Sequence, residues 1–402
     1  MTRAVITGMG LICGNAKNKA EFAEALFSGK SGIKKCRAFP TDDLSTSYFG
    51  EIDDFPKENL PKTDRLRLIF DHCIEELLAD AMLCKEDLTA MGSHCRTFWG
   101  TLIYNNDWFL EHCKKKRAGI IGDSFIARSN EYTTYLRNLT GACGKATVVS
   151  SACASGTTAV GMAVRAIKAG LCEAAVAGGA DALSCVTAYG FNSLKALSGH
   201  VCKPFTMGRD GINIGEAGAF FFIESLEHAK ARGAKIYAEI VGSAINNDAY
   251  HITSLQPDGI GAAKIMVAAL QDAGLTVQDI DYINAHGTGT QTNDAAEMKA
   301  VSQVFGANER PVYFSTTKAL LGHCMGASGA IELAAVILAI KAGKYLPMPS
   351  FDKAELILGA ANIKITDEAV NLDINYALST SFAFSGNNAA VILKKYAGGG
   401  DV

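Results

Sequence analysis

Proline is scarce in this sequence, 8 residues in 402, and charged residues supply only 20% of it. Acidic and basic residues nearly cancel, leaving a formal net charge of −3. That balance argues against a basic nucleic-acid binder. An apolar fraction of 49% argues against disorder. No two of the twelve cysteines stand in a C-x-x-C pair, so zinc-finger spacing is absent. No secretory leader is read at the start, where Gly8 and Gly10 interrupt the apolar run. Unpaired cysteines without an export signal suit a reducing cytosol, and a cytoplasmic protein is expected. No apolar stretch reads as a membrane span of about 18 residues or more. The longest, Ala330–Ile340, carries Glu332 and ends at Lys341.

Glycine is plentiful, 40 of 402, and the strand and helix signals alternate. Ala4–Thr7 reads as a short buried strand ended by Gly8-Met9-Gly10. Asn18–Ser28 has helical periodicity, with Asn18 and Glu21 in capping-box spacing and Gly29 as its stop. Arg67–Met82 repeats apolar residues at helical spacing. The basic run at 114–117 reads as a solvated face. Thr147–Val149 predicts a buried strand, and Cys153–Gly170 a helix of small residues. Ala174–Val176, Gly218–Glu224, Ile236–Val241 and Tyr282–Asn284 add strands. This alternation predicts a layered α/β fold.

An internal echo divides the chain. Ala154-Ser155-Gly156 and Ala166-Ile167-Lys168-Ala169-Gly170 recur as Ala327-Ser328-Gly329 and Ala339-Ile340-Lys341-Ala342-Gly343, each at an offset of 173 residues. Two similar halves are expected, 1–240 and 241–402. Their two small-residue helices could pack closely as a buried central pair.

Chemistry gathers in four segments. In Ser150-Ser151-Ala152-Cys153-Ala154-Ser155-Gly156, a cysteine sits where a strand runs into a helix. Unpaired N–H groups and the helix dipole there are expected to lower its pKa. In Asn284-Ala285-His286-Gly287-Thr288-Gly289-Thr290, a histidine is offered on a loop whose glycines admit a ligand and whose threonines can bond it. Lys318 and His323 stand just before the second repeated helix. The offset of 173 sets His323 against Ser150, which points to one central site with Cys153. The last segment, Ser381-Phe382-Ala383-Phe384-Ser385-Gly386-Asn387-Asn388, is either a core turn or a movable lid.

The ordered set Cys153, His286, Lys318 and His323 resembles the β-ketoacyl-acyl-carrier-protein synthases I and II of the thiolase superfamily. The resemblance runs from Val5-Ile6-Thr7-Gly8-Met9-Gly10 to the Phe384 loop. It includes Arg209-Asp210-Gly211, Gly215-Glu216, Glu227–Ile240 and Asp248–Thr253. It implies a five-layer αβαβα fold of two similar halves, and a dimer. The activity it implies is transfer of an acyl group to Cys153, then attack by the enolate of a decarboxylated malonyl group. The N–H groups of Cys153 and Phe384 would form an oxyanion hole, His286 and His323 would hold the malonyl thioester, and Lys318 would orient them. Glu297 and Glu332 would support Lys318. Thr288 and Thr290 match pantetheine-binding threonines, with Thr253 near the tunnel mouth. Phe382 would line the substrate path. The implied partner is an acyl carrier protein that brings its own phosphopantetheine, so no metal or other cofactor is expected, nor any nucleic acid or membrane.

The sequence departs from that pattern in places. Close relatives carry G-F-G-G at the gate, where this chain has Ala383-Phe384-Ser385-Gly386. A glycine-rich segment expected after Gly100 is replaced by Thr101–Trp108. Tyr132 and Tyr135 are bulky in the helix that matches the acyl pocket, so an unusual acyl pocket is expected. The loop His286–Asp294 looks closer to polyketide or aryl-polyene ketosynthases, a lean set beside fatty-acid synthesis. Lys62, Arg65, Arg67 and Arg209 are the candidate carrier-docking residues. Two alternatives stay open. A degradative thiolase would need a second cysteine near the C-terminus, and none follows Cys324. A chain-length-factor-like structural subunit would usually lack the nucleophile, although this chain could pair with one.

Overall fold

The computed structural model describes residues 2–53, 55, 64–102, 106–120, 129–348, 356–357 and 359–398. Thirteen strands are found among them: β1 (Ala4–Cys13), β2 (Lys34–Lys35), β3 (Tyr48–Phe49), β4 (Cys95–Gly100), β5 (Ala146–Val149), β6 (Ala174–Asp181), β7 (Ala217–Ser225), β8 (Ala238–Asn247), β9 (Tyr282–Asn284), β10 (Val312–Ser315), β11 (Ile363–Lys364), β12 (Tyr376–Phe382) and β13 (Asn387–Lys395). Strands β2 and β3 form a small separate ribbon.

The other eleven are hydrogen-bonded in the order β11-β10-β9-β12-β13-β8-β1-β7-β6-β4-β5. This order contains two mirrored sets of five. The set β5-β4-β6-β7-β1 answers to β10-β9-β12-β13-β8. In each set the outer pairs are parallel and the inner ones antiparallel. The sets meet at β1 and β8, which pair over only three residues, Ala4–Ile6 against Ala238–Ile240. The expected division at 240 falls inside β8.

Helices Ser155–Lys168 and Ser328–Ala342 lie between the two sets, each touching strands of both. Helix Arg65–Ala81 covers β1 and β7 from outside, and Ile260–Ala273 covers β8 and β13. The result is the five-layer αβαβα arrangement. The central pair approaches closely because it is built from small residues. A side chain at Gly156 would come within 3.2 Å of the Ala330 Cβ, and one at Gly329 would strike the Thr157 hydroxyl. Every residue from Ser328 to Ile340 is buried. A helix apolar on all sides belongs inside a protein core. With its leading turn, Met325–Ala342 is long and apolar enough by composition to cross a membrane, contrary to the sequence expectation. Here it is one of the two central helices of the fold.

Several strands run past the glycines that were expected to end them. β1 continues through Gly8 and Gly10 to Cys13. A Cβ at Gly10 would lie 2.0 Å from the Cys73 carbonyl oxygen. These glycines therefore allow the outer helix to lie against the strand. β6 likewise continues through Gly178 and Gly179 to Asp181. β5 is less buried than expected, with only Val149 enclosed, because it is an edge strand. The helix expected from Asn18 forms as read, Lys19–Ser28, and Gly29 closes it at φ +69°. Glu21 accepts the Lys17 N–H, one residue earlier than a capping box would have it. The basic run at 114–117 ends a helix with its lysines exposed, as the solvated reading expected.

Candidate active site

Cys153 lies two residues ahead of the central helix Ser155–Lys168. Ala152 before it takes the left-handed conformation, φ +51°. The Ser155 hydroxyl donates to the Ala152 carbonyl (2.5 Å) and accepts the Ser151 N–H (2.9 Å), fixing the turn. The sulfur is buried. Burial pushes the thiol up to about 12, against the opposing pull of the Lys318 charge and the Phe384 and Cys153 backbone N–H groups. The lowered pKa expected from the helix start is therefore not found. Desolvation of the anion outweighs the charge and the backbone hydrogen bonds together.

His286 follows β9 on the loop that the sequence marked. The buried Glu297 carboxyl accepts both the His286 N–H (2.7 Å) and the Gly287 N–H (2.8 Å). Gly287 has φ +47°, and a Cβ there would lie 2.7 Å from Phe205 and Thr316 side-chain atoms. Only glycine fits this bend. Behind the imidazole, Lys318 Nζ stands 3.4 Å from His286 Nδ1 and is ion-paired with buried Glu332.

His323 stands at the head of the turn leading into the second central helix. Its Nδ1 accepts the Met325 N–H (3.0 Å) and lies 3.0 Å from the Ser328 hydroxyl. The two imidazole rings are edge-to-face, with centroids 5.3 Å apart. Burial first, then the Lys318 charge, hold both well below the usual histidine range; His323 depresses His286 further. Both rings are thus neutral at physiological pH. A neutral imidazole has one proton, and an Nδ1 facing a donor cannot carry it. In each ring the proton is therefore on Nε2.

Cys153, His286 and His323 line one cavity of about 320 Å³. Thr288, Thr290, Thr253, Phe382 and Phe384 line it too. The Thr288 and Thr290 hydroxyls lie 2.9 Å apart, and Thr290 caps the helix Gln291–Phe305. Phe384 stacks on Phe191, ring centroids 5.6 Å apart. In the gate segment Ala383 is extended (φ −129°), a backbone open to any residue, whereas Ser385 is left-handed (φ +63°).

Other sequence candidates lie elsewhere. Lys318 is behind His286, outside the cavity lining, and Glu332 is its partner. Glu297 straps the histidine loop and has no hydrogen bond to Lys318. Tyr132 and Tyr135 do not line the cavity. Their hydroxyls donate to Asp64 (3.0 Å) and Asp71 (2.6 Å) at the outer helix Arg65–Ala81. Arg65 is buried and clasps Glu216 through two nitrogens, so it offers no free charge for docking. Arg209 is also buried, donating to the carbonyls of Thr206, Thr290 and Gln291. Arg209 thus holds backbone in place, whereas Arg65 neutralises a buried carboxylate. Arg67 is the half-exposed member, paired with Asp64. Lys62 lies outside the described residues.

The sequence reading missed Met325 and Ser328 as partners of the His323 ring, although the 173-residue echo had already picked out Ser328. It also missed Phe191, which nothing in the local sequence marks.

Two family models cover most of the chain. Residues 1–229 match the N-terminal domain of β-ketoacyl synthases and residues 237–352 their C-terminal domain. The chain belongs to the β-ketoacyl synthase family. This synthase is 34% identical over 415 aligned positions to 3-oxoacyl-[acyl-carrier-protein] synthase 2 of Staphylococcus aureus strain N315, with 98% of each chain covered. Its fold is similar to that of the ishigamide ketosynthase/chain length factor, with a TM-score of 0.89 at 31% identity, covering 98% of this chain and 99% of the other. It is also similar to the AntDE ketosynthase solved in complex with its type II polyketide acyl-carrier protein AntF. There the TM-score is 0.87 at 27% identity, over 98% and 99% of the two chains.

Proposed function

We propose that this synthase joins an acyl group held on Cys153 to the enolate of a decarboxylated malonyl-acyl-carrier protein. The chain grows by two carbons as a β-ketoacyl product. One observation carries this reading: two buried imidazoles, each with its Nδ1 facing a donor and so left to donate from Nε2, line the same cavity as a buried cysteine. Such donors can hold a developing enolate oxygen without binding the starting carboxylate as a cation would.

In the first half-reaction, Cys153 Sγ bonds to the acyl carbon and the bond to pantetheine sulfur breaks. The thiol proton leaves on the pantetheine sulfur, which departs as the free thiol. The backbone N–H groups of Cys153 and Phe384 serve the tetrahedral oxyanion. In the second, the malonyl carbon–carboxylate bond breaks, carbon dioxide departs, and the electron pair enters the enolate. His286 and His323 donate to its oxygen. The enolate carbon then attacks the acyl-cysteine carbonyl, and the released Cys153 thiolate takes up a proton. Thr288, Thr290 and Thr253 would bond the pantetheine arm and Phe382 would line its path, while Lys318 and Glu332 hold His286.

The phosphopantetheine arrives on the carrier protein, and the chemistry calls for no metal or further organic cofactor. We place the reaction in the cytoplasm, in type II fatty-acid or polyketide and polyene synthesis, with the latter favoured by the His286–Asp294 loop. The synthase would act as a homodimer or with a chain-length-factor-like partner. A thiolase reading lacks the second cysteine in the Ser381–Asn388 loop. A structural-subunit reading leaves the complete site without purpose.

Separate assays of the two half-reactions test the assignment. Wild type should acylate at Cys153 and release carbon dioxide from malonyl-carrier. His286→Ala and His323→Ala should acylate but lose decarboxylation. Loss of acylation alone in these variants would contradict the division of roles.

A further inference from the structure

Asp181 ends β6 and is completely buried between the halves. Its Oδ2 accepts the Leu102 N–H (2.8 Å) from the end of β4 and the Gly326 N–H (2.6 Å) from the turn after His323. Its Oδ1 accepts the Thr101 hydroxyl. The turn it holds is unusual. Met325 is left-handed at φ +50°, a strained conformation for an L-residue. The packing around Gly326 leaves no room for a side chain. A Cβ there would meet the Leu102 nitrogen at 2.5 Å and Asp181 Oδ2 at 2.7 Å. The Met325 N–H is the donor that occupies His323 Nδ1. One carboxylate thus secures a strained turn whose amide sets the protonation of a ring in the active-site cavity.

We infer that Asp181 is a positioning residue for His323, holding the Met325–Gly326 turn so that the ring proton stays on Nε2 and points into the cavity. The inference rests on the proposed role of His323 in decarboxylation. Without the carboxylate, the turn relaxes toward ordinary backbone and the Met325 N–H leaves Nδ1. The imidazole then divides its proton between its two nitrogens and donates poorly to the enolate.

Two variants separate position from charge. In Asp181→Asn the carbonyl oxygen can still accept both N–H groups, while the Thr101 hydroxyl turns to accept from the new amide. In Asp181→Ala both anchors vanish. With ¹⁵N-histidine labelling and His323→Ala to assign the resonance, wild type and Asp181→Asn should show His323 protonated at Nε2 alone. Asp181→Ala should show a tautomer mixture. Its decarboxylation of malonyl-carrier should fall about 100-fold, as expected for a displaced reacting group, while Cys153 acylation is retained and Asp181→Asn restores the rate. If Asp181→Ala does not fold, Gly326→Ala drives the turn off an intact carboxylate and should give the same tautomer mixture.

An unchanged His323 signal with wild-type decarboxylation in Asp181→Ala or, in its place, Gly326→Ala would overturn the inference. So would equal loss of both half-reactions with the tautomer unchanged. If His323→Ala itself decarboxylates normally, the reading of His323 fails. If that variant is impaired while Asp181→Ala is not, only the role of Asp181 fails.

Discussion

Ala152 and Met325 stand 173 residues apart and share one backbone conformation, φ +51° and φ +50°. Each precedes a central helix by a few residues, and neither is glycine. The separation is that of the sequence echo, so the duplication extends to a strained turn in each half. On one side the turn presents Cys153, and on the other its amide meets His323 Nδ1. Cys153 and His323 are therefore brought to one cavity by the same local device used twice.

The histidines should work as neutral donors. Their ionisation lies well below the usual histidine range because of burial and the Lys318 charge. Decarboxylation should then show no loss from histidine protonation as pH falls through 6.5. His286→Ala or His323→Ala should each lower it by about 10²–10³-fold, the cost of removing one oxyanion donor. A pH–rate profile of carbon dioxide release from malonyl-carrier checks both points.

Cys153 should rest as a thiol. With its ionisation pushed up to about 12, the thiolate fraction rises tenfold per pH unit through the neutral and mildly alkaline range. Alkylation of Cys153 by iodoacetamide, followed by intact mass, should accelerate accordingly from pH 7 to 9. A plateau in that range would mean that the cysteine is already ionised.

The two glycine losses at the gate should have opposite consequences. Ser385→Gly relieves a left-handed serine and should raise stability by about 1 kcal/mol. Ala383→Gly relieves nothing, because Ala383 is extended, and should lower stability by about 0.5–1 kcal/mol through chain entropy. Denaturant midpoints of the two variants give the comparison.

Arg65 and Lys318 should matter first for stability. Each belongs to a buried ion pair, with Glu216 and Glu332 respectively. Removing one partner of such a pair costs about 3–5 kcal/mol because the other is left as an unpaired buried charge. Arg65→Ala should therefore unfold at lower denaturant, and charge reversal there should not act as a simple salt-dependent docking defect. Urea unfolding at two salt concentrations distinguishes the cases.

Glu297 should make stability depend on pH. Burial pushes its carboxyl up to about 8 in the folded protein. The native state then holds a proton that the unfolded chain has released above its ordinary value of 4.5. The contribution of this group is present below 4.5 and lost as pH rises through 8. Comparing the pH slope of unfolding for wild type and Glu297→Gln isolates it.

Much of this site was legible because its chemistry is local. Cys153 sits at a strand-to-helix junction, and His286 sits in a glycine and threonine loop that short-range sequence reveals. The central helix pair was legible through its repeat. The misread positions depend on long-range packing. Gly8 and Gly10 looked like a strand end, but they admit a helix folded against β1. Arg65 and Arg209 looked like surface charges, yet their partners Glu216 and Thr290 lie 151 and 81 residues away. The Cys153 ionisation was misjudged because helix-end electrostatics can be read from sequence, whereas the depth of burial cannot.

The most direct measurement is a pulse and chase on Cys153. The enzyme is loaded from acyl-carrier protein, weighed intact, then given malonyl-carrier protein and weighed again with its product. Wild type should gain one acyl group on Cys153 and pass it to a β-ketoacyl product two carbons longer. Cys153→Ala should form neither adduct nor product. Condensation by Cys153→Ala would contradict the assignment of the nucleophile and of the reaction built on it.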